Sequence, residues 1–318
     1  MQTFVLTGAA GFLGSNILLE LVNRGYMVLA CDFSTPPENL VRQTENTGQV
    51  DWIQMDVSDE NAWNALPERS YASVIHTAAV TPPEDDPDPK HTAKVNFFGT
   101  LNAMDWALEN EIPRFVFTSS SAVYRYSNPS GPMKEHQQVK PRFSYGMSKI
   151  AAEGFIGVYR EKMGLDCCAV RLPSIYGPWE RPTETRTSMS PIYHIASAAL
   201  KGCQLQVCGR DIERDWTYVK DATRGLIHLA CHERGPELIN LSTGKFVSLK
   251  EIVQALDTLI PDHRIQIVSS EPYDIKMTGT SGNQPMDPHL LKSTGFQADM
   301  SIKEGLRDYL HWLKEQKV

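Results

Sequence analysis

The chain has 318 residues, 41% of them hydrophobic and 22% charged, which is enough apolar material for a sizeable core and too much for disorder. A formal net charge of -7 and the lack of any basic run argue against a nucleic-acid partner; the densest charge cluster is acidic, Glu84, Asp85, Asp86 and Asp88 between prolines. No apolar run is long enough to cross a membrane, and MQTFVLTGAAG passes directly into a strand and a turn rather than a signal peptide. A soluble, cytoplasmic protein with no membrane contact is therefore expected.

In chain order, the first half alternates short apolar runs with helical patterns, which predicts βαβ units and a parallel sheet. Strands are expected at Thr3 to Leu6, Met27 to Cys31, Asp51 to Met55, Ala72 to His76, Phe115 to Thr118 and Cys167 to Leu172. Helices are expected from Phe12 to Asn23, Thr92 to Glu109 and Tyr145 to Lys162. After Tyr176-Gly177-Pro178 the alternation stops in a Pro/Thr/Arg-rich connection. A helix from Asp221 to Cys231 and a strand from Glu237 to Asn240 are expected to return to the sheet, and an amphipathic helix from Ser301 to Lys314 closes the chain. This gives a main domain over 1–177 with 218–245, and a smaller lobe over 178–217 and 246–318.

The six cysteines make no CxxC pair and no zinc spacing, and are expected to be buried reduced thiols. Adjacent Cys167 and Cys168 should point to opposite faces of one strand. The nine histidines show no metal-ligand spacing, so no metal is expected, and His76 at a strand end is read as structural.

Chemistry enters at TGAAGFLG, where Gly8, Gly11 and Gly14 recur every third residue between the first strand and the first helix. Such a turn needs unusual backbone angles, lets the backbone approach a pyrophosphate, and aims free helix N–H groups at the phosphates. A glycine triplet alone is weak evidence; between a strand and a helix it is a strong sign of a dinucleotide site. Asp32 closes the second strand, where a carboxylate accepts from the adenosine ribose and repels a ribose phosphate, so NAD is expected over NADP. Asp56 closes the third strand and is a second acid placed to face the adenine.

These motifs, with HTAAV at His76 to Val80, VNFFGTLN, SSSAVY, YGMSK, RLPSIYGP and ERDWTYVKDATRG, stand in the order of the extended short-chain dehydrogenase/reductase family, and the chain resembles its NAD-dependent sugar epimerase and dehydratase branch nearly throughout. The resemblance implies an α/β Rossmann-type doubly wound parallel sheet with a smaller C-terminal α+β substrate lobe. It also implies a homodimer, and NAD held by Gly8, Gly11, Phe12, Leu13, Gly14, Asp32, Asp56, Val57, Ala78, Ala79, Asn96, Tyr145, Lys149 and Pro173.

Of the eleven tyrosines, only Tyr145 has a lysine four positions on, which puts both side chains on one helical face. An ammonium there should draw the phenol from roughly pKa 10 toward the working pH, so that Tyr145 removes a hydroxyl proton as hydride leaves the same carbon. The resemblance adds that Lys149 holds the nicotinamide ribose. Aligned on Tyr124, the family's catalytic serine or threonine falls on Ser120, with Ser119 and Ser121 as alternatives in the same strand end.

Thr81, Ser121, Ser174 and Arg214 are the expected substrate contacts, Arg214 by resemblance to an arginine that grips a nucleotide-sugar phosphate. Ser121 and Ala122 stand where the branch's dehydratases carry an Asp-Glu pair, so water elimination has no evident catalyst. Two departures concern the substrate: Ser174 replaces an asparagine, and Glu271-Pro272-Tyr273-Asp274 aligns where a second phosphate-binding arginine is common, with Lys276 as a compensating charge. A sugar-like substrate is expected. The readings that stand are a nucleotide-sugar epimerase, an NAD-dependent dehydrogenase of a free sugar, sugar acid or polyol, and a non-catalytic NAD-binding sensor.

Overall fold

Strands buried on both faces read as nearly continuous apolar runs, and here they assemble a seven-stranded parallel sheet. The computed structural model describes residues 2–83, 85–124, 131–232, 234–278 and 284–316. Chain order in the first half is β1 (Thr3–Thr7), α1 (Phe12–Asn23), β2 (Met27–Asp32), α2 (Glu38–Thr44), β3 (Val50–Gln54), α3 (Glu60–Asn64), β4 (Ser73–His76), α4 (Pro89–Ala93), α5 (Gly99–Glu109), β5 (Phe115–Ser120), α6 (Ser144–Val158) and β6 (Cys167–Leu172). The second half brings β7 (Ser174–Tyr176), α7 (Pro191–Lys201), β8 (Leu205–Cys208), β9 (Glu213–Tyr218), α8 (Val219–Ala230), β10 (Leu238–Asn240), β11 (Phe246–Ser248), α9 (Leu249–Leu259), β12 (Ile265–Val268), β13 (Ile275–Lys276), α10 (His289–Ser293) and α11 (Ile302–Glu315).

The sheet order is β10-β6-β5-β4-β1-β2-β3, so the order reverses between β1 and β4, where open α/β sheets place their ligands. Side-chain alternation sorts the strands into two cores. Phe4, Leu6 and Val28 meet Ile17, Leu18 and Leu226 of α1 and α8 on one face. Val5, Leu29 and Val74 meet Ala103, Met104 and Ile156 of α5 and α6 on the other. Cys167 and Cys168 enter opposite cores, as the alternation predicts. Of the six thiols, Cys203 and Cys231 are exposed and Cys208 is only partly buried, so the expectation of burial holds for Cys31, Cys167 and Cys168 and fails for the other three.

The helix expected from Thr92 to Glu109 starts earlier, at Pro89 capped by Asp88, and is interrupted at Lys94–Phe98 by a π turn. Beyond the main sheet, β11-β9-β7 and β12-β8-β13 form two three-stranded sheets. A third core, with Ile192, Ile195, Val207, Trp216, Leu249 and Leu306, holds them together. β7 follows β6 after one residue and pairs with β9, so the chain leaves the main sheet at Pro173.

Candidate active site

At the carboxyl ends of the sheet strands lies a cleft of about 1160 Å³, bounded on the far side by residues 181–191 and by β9. Its floor begins with the glycine turn. Gly8 has φ +69, and a Cβ there would lie 2.7 Å from the Ala78 nitrogen. A Cβ on Gly14 would lie 1.9 Å from the Gly8 carbonyl oxygen, so helix and strand approach more closely than any side chain permits. The turn is closed by Gly11 N–H donating to the Gly8 carbonyl at 3.0 Å, which leaves the start of α1 facing the cleft.

Asp32 accepts from Ala10 N–H and Ser34 N–H, both at 2.8 Å, so β2 and the glycine turn fix the carboxylate between them. Burial pushes its pKa up; the Ser34 and Ala10 bonds and the charge of Arg181 pull it back. Asp56 accepts from the Ser58 backbone and hydroxyl at 2.9 and 2.7 Å and lines the same end. The cradle and carboxylate fit a dinucleotide: close backbone approach where a pyrophosphate passes, and an acceptor for a ribose diol beside it.

At the other end, Tyr145 and Lys149 rise from the first turns of α6, with Ser120 opposite at the end of β5. Gly146 makes this possible, since a Cβ there would lie 3.0 Å from the Ala122 carbonyl oxygen. Lys149 is 1% exposed, donates from Nζ to the Thr118 carbonyl at 2.9 Å, and lies 4.7 Å from the Phe117 ring centroid. Burial lowers its pKa to about 7, with Glu153 opposing. Glu153 is held by Arg171 at 2.6 Å and by the Ser119 hydroxyl, so the helix carries a fully compensated carboxylate one turn below the lysine.

The Tyr145 phenol differs from the sequence expectation. Burial raises its pKa, and what opposes the rise is first the Ser120 hydroxyl and then the charge of Arg186, not Lys149. The lysine is drawn instead toward Thr118, 5.7 Å from the Tyr145 ring centroid.

Of the other residues singled out in the sequence, Phe12, Leu13, Val57, Ala78, Ala79, Thr81, Pro173, Ser174 and Arg214 all line the cleft. Asn96 and Ser121 do not. Asn96 is buried behind the wall, where its amide accepts from Val80 N–H at 2.8 Å and donates to the Val80 carbonyl at 2.9 Å. From there it shapes the loop after β4. Ser121 opens the turn of 3₁₀ helix after β5, which carries it past the strand end. Glu271 and Lys276 are also not among the residues that line the cleft. His76 is wholly buried between the Thr7 and Thr100 hydroxyls at 2.8 and 3.2 Å, and burial lowers its pKa to about 3, so it is a neutral spacer.

Sequence reasoning missed Arg181 and Arg186, both in the cleft wall. Arg181 donates to the Ala10 carbonyl over the glycine turn. Arg186 is paired with Glu180 at 2.8 Å and stands 5.2 Å from the Phe12 ring centroid. The available signal was the pair of arginines in the connection after Tyr176-Gly177-Pro178. Among the described residues no group of His, Cys, Asp or Glu could hold a metal, and no helix is long and apolar enough to cross a membrane.

A carboxylate fixed at the second strand end and a tyrosine on α6 opposite the end of the fifth suit an enzyme that works on a bound dinucleotide. The chain belongs to the NAD dependent epimerase/dehydratase family, whose model matches residues 4–242. It is 28% identical over 260 residues to a UDP-glucose 4-epimerase of Mycolicibacterium smegmatis, covering 80% of this chain and 82% of that one. Its fold matches a UDP-glucose 4-epimerase of Thermotoga maritima solved with UDP-glucose, with TM-score 0.85, 21% identity and all of both chains covered. It also matches MoeE5 in complex with UDP-glucuronic acid and NAD, with TM-score 0.79, 27% identity and 99% of each chain covered. The protein is an NAD-dependent enzyme of the extended short-chain dehydrogenase/reductase type.

Proposed function

We propose that this protein is a nucleotide-sugar epimerase that oxidises a secondary hydroxyl of the sugar and returns the hydride to the opposite face. The observation that carries this reading is the grouping of Ser120, Tyr145 and Lys149 at one end of a cleft whose other end is the glycine turn and Asp32. Gly8, Gly11 and Gly14, with Phe12 and Leu13, would pass the pyrophosphate; Asp32 would take the adenosine ribose, and Asp56, Val57, Ala78, Ala79 and Pro173 would enclose the rest. NAD supplies the hydride acceptor and donor.

Tyr145 takes the proton from the reacting hydroxyl while the Ser120 hydroxyl donates to the phenolate that receives it. Lys149 spends one donor on Thr118, and its remaining donors would hold the cofactor's ribose. Arg214, held on Thr278 at 2.6 Å and lying 5.4 Å from the Trp216 ring centroid, lines the far side of the cleft on β9, suited to a diphosphate. Thr81 and Ser174 face the sugar. Ser121 and Ala122, in place of an acid pair, disfavour elimination.

In the same reading, 1–177 with 218–245 is the cofactor domain, 178–217 with 246–318 is the substrate lobe, and the enzyme works in the cytoplasm. A homodimer is supported by an apolar face on which Phe98 and Phe155, 54% and 40% exposed, flank Phe97. The test is to follow NADH absorbance and carbohydrate products together, with UDP-sugars, free aldoses and sugar acids. An epimer formed without net NADH supports the epimerase. Net NADH growing with turnover on a free sugar or sugar acid establishes a dehydrogenase instead.

A further inference from the structure

The long basic side chains lining the cleft are Lys149, Arg181, Arg186 and Arg214. Three of them have work assigned by what they touch. Lys149 is bonded to Thr118, Arg181 lies over the glycine turn near Asp32, and Arg214 is held on Thr278 beside Trp216. Arg186 is different. Its Nη2 is fixed by Glu180, but its Nε is buried and has no hydrogen-bond partner among the described residues.

The local structure holds this guanidinium in place. Glu180 has no exposed side-chain surface; it accepts Arg186 and the Ser190 N–H on one oxygen, at 2.8 and 2.7 Å, and the Ser190 hydroxyl on the other at 2.8 Å. Residues Thr183 to Arg186 close a tight turn through bonds of 2.9 and 3.2 Å, and Thr81 N–H donates to the Thr185 carbonyl at 2.9 Å. Thr81, Thr183 and Thr185 therefore line the wall around the arginine, and Phe12 lies beside it. A buried N–H without an acceptor is costly, and an arginine fork matches the two oxygens of a carboxylate. Thr81, which faces the sugar in the reading above, is bonded to the Thr185 carbonyl next to Arg186, so the group that Arg186 meets is assigned to the sugar.

We propose that Arg186 is a specificity-determining residue that pairs with a carboxylate on the sugar ring, which makes the substrate class a hexuronate. This rests on the reading of Ser120, Tyr145 and Lys149 as the sugar-oxidising centre. Glu180 keeps the guanidinium compensated before substrate arrives, and the hydroxyls of Thr81, Thr183 and Thr185 are bonded within the wall, which holds the turn around the arginine in place.

The test compares wild type, Arg186→Gln and Arg186→Lys, each loaded with NAD, on UDP-glucuronic acid, UDP-glucose and free glucuronate. Binding is measured by calorimetry, and turnover by product analysis and NADH absorbance. Wild type should favour UDP-glucuronic acid over UDP-glucose by about tenfold or more, the size of one charge-assisted pair. Arg186→Gln should collapse that ratio toward one, and Arg186→Lys should keep part of it. The ratio is the informative quantity, because any effect of Arg186 on Tyr145 slows both substrates alike.

An unchanged ratio in Arg186→Gln, a wild-type preference for UDP-glucose, or no binding of either acid overturns the inference. If UDP-glucose is epimerised better than UDP-glucuronic acid, the epimerase reading stands and this one falls. If free glucuronate is oxidised with net NADH and shows the same dependence on Arg186, this inference stands and the epimerase reading falls. Should Arg186→Gln lose NAD or unfold, the wild-type preference and the Lys variant decide.

Discussion

Lys149 is buried without a carboxylate of its own, and the cost of that placement can be measured through pH. Burial holds its ammonium at a pKa of about 7, against 10.5 in the open chain. Because the folded value is depressed, the stability tied to this group is complete above the unfolded pKa and is lost as pH falls through 7. Between pH 7 and 9 the excess of protons on the unfolded chain at this group rises from about half of one to nearly one, a slope of at most about 1.4 kcal/mol per pH unit. Integrated over that window, the gain in stability is about 2 kcal/mol. Urea unfolding of NAD-stripped wild type and Lys149→Met at pH 7, 8 and 9 isolates it, since every other titrating group is common to both. The wild type should gain on the variant by that amount as pH rises. Parallel curves would refute a buried, depressed lysine.

Tyr145→Phe should bind NAD as the wild type does yet lose about 10²–10⁴-fold in turnover, the usual worth of a positioned acid–base group; equal loss of NAD binding would point to a structural role. Gly14→Ala forces a Cβ to within 1.9 Å of the Gly8 carbonyl oxygen, so the purified variant should carry no NAD and unfold at lower urea. Asp32→Asn keeps one acceptor oxygen and loses the charge, which should weaken NAD by about 10- to 100-fold and narrow the preference over NADP, read by titration of each cofactor. Phe98→Glu should shift the protein to a monomer in sedimentation if the aromatic face is the dimer contact.

The main sheet was legible because its strands are apolar on both faces and its turns carry glycine. Thr3–Thr7, Met27–Asp32 and Cys167–Leu172 fall within a residue of where the pattern puts them. The smaller sheets were not. Ser174–Tyr176 and Phe246–Ser248 span too few residues for a period to show, and their partners lie far away in sequence. The cofactor end was readable because its recognition is built from backbone geometry, which only certain residues permit. The substrate wall depends on Glu180 meeting Arg186 and Ser190, contacts between loop residues that no local pattern announces. Glu271 shows the same limit: alignment placed it by sequence position, and it is not among the residues that line the cleft.

The π turn at Lys94–Phe98 bears on how this helix could change by insertion or deletion. It holds one residue more than an α-helical turn would, and in it Asn96 clamps Val80 while Thr100, just beyond, reaches His76. Deleting one residue there would restore an unbroken α-helical ladder, yet turn the stretch beyond it by about 100° relative to the stretch before. Asn96 and Thr100 could then no longer serve the same wall. The irregular turn thus sets the phase in which Asn96 and Thr100 reach one wall: a shorter helix would be locally better bonded and globally out of phase.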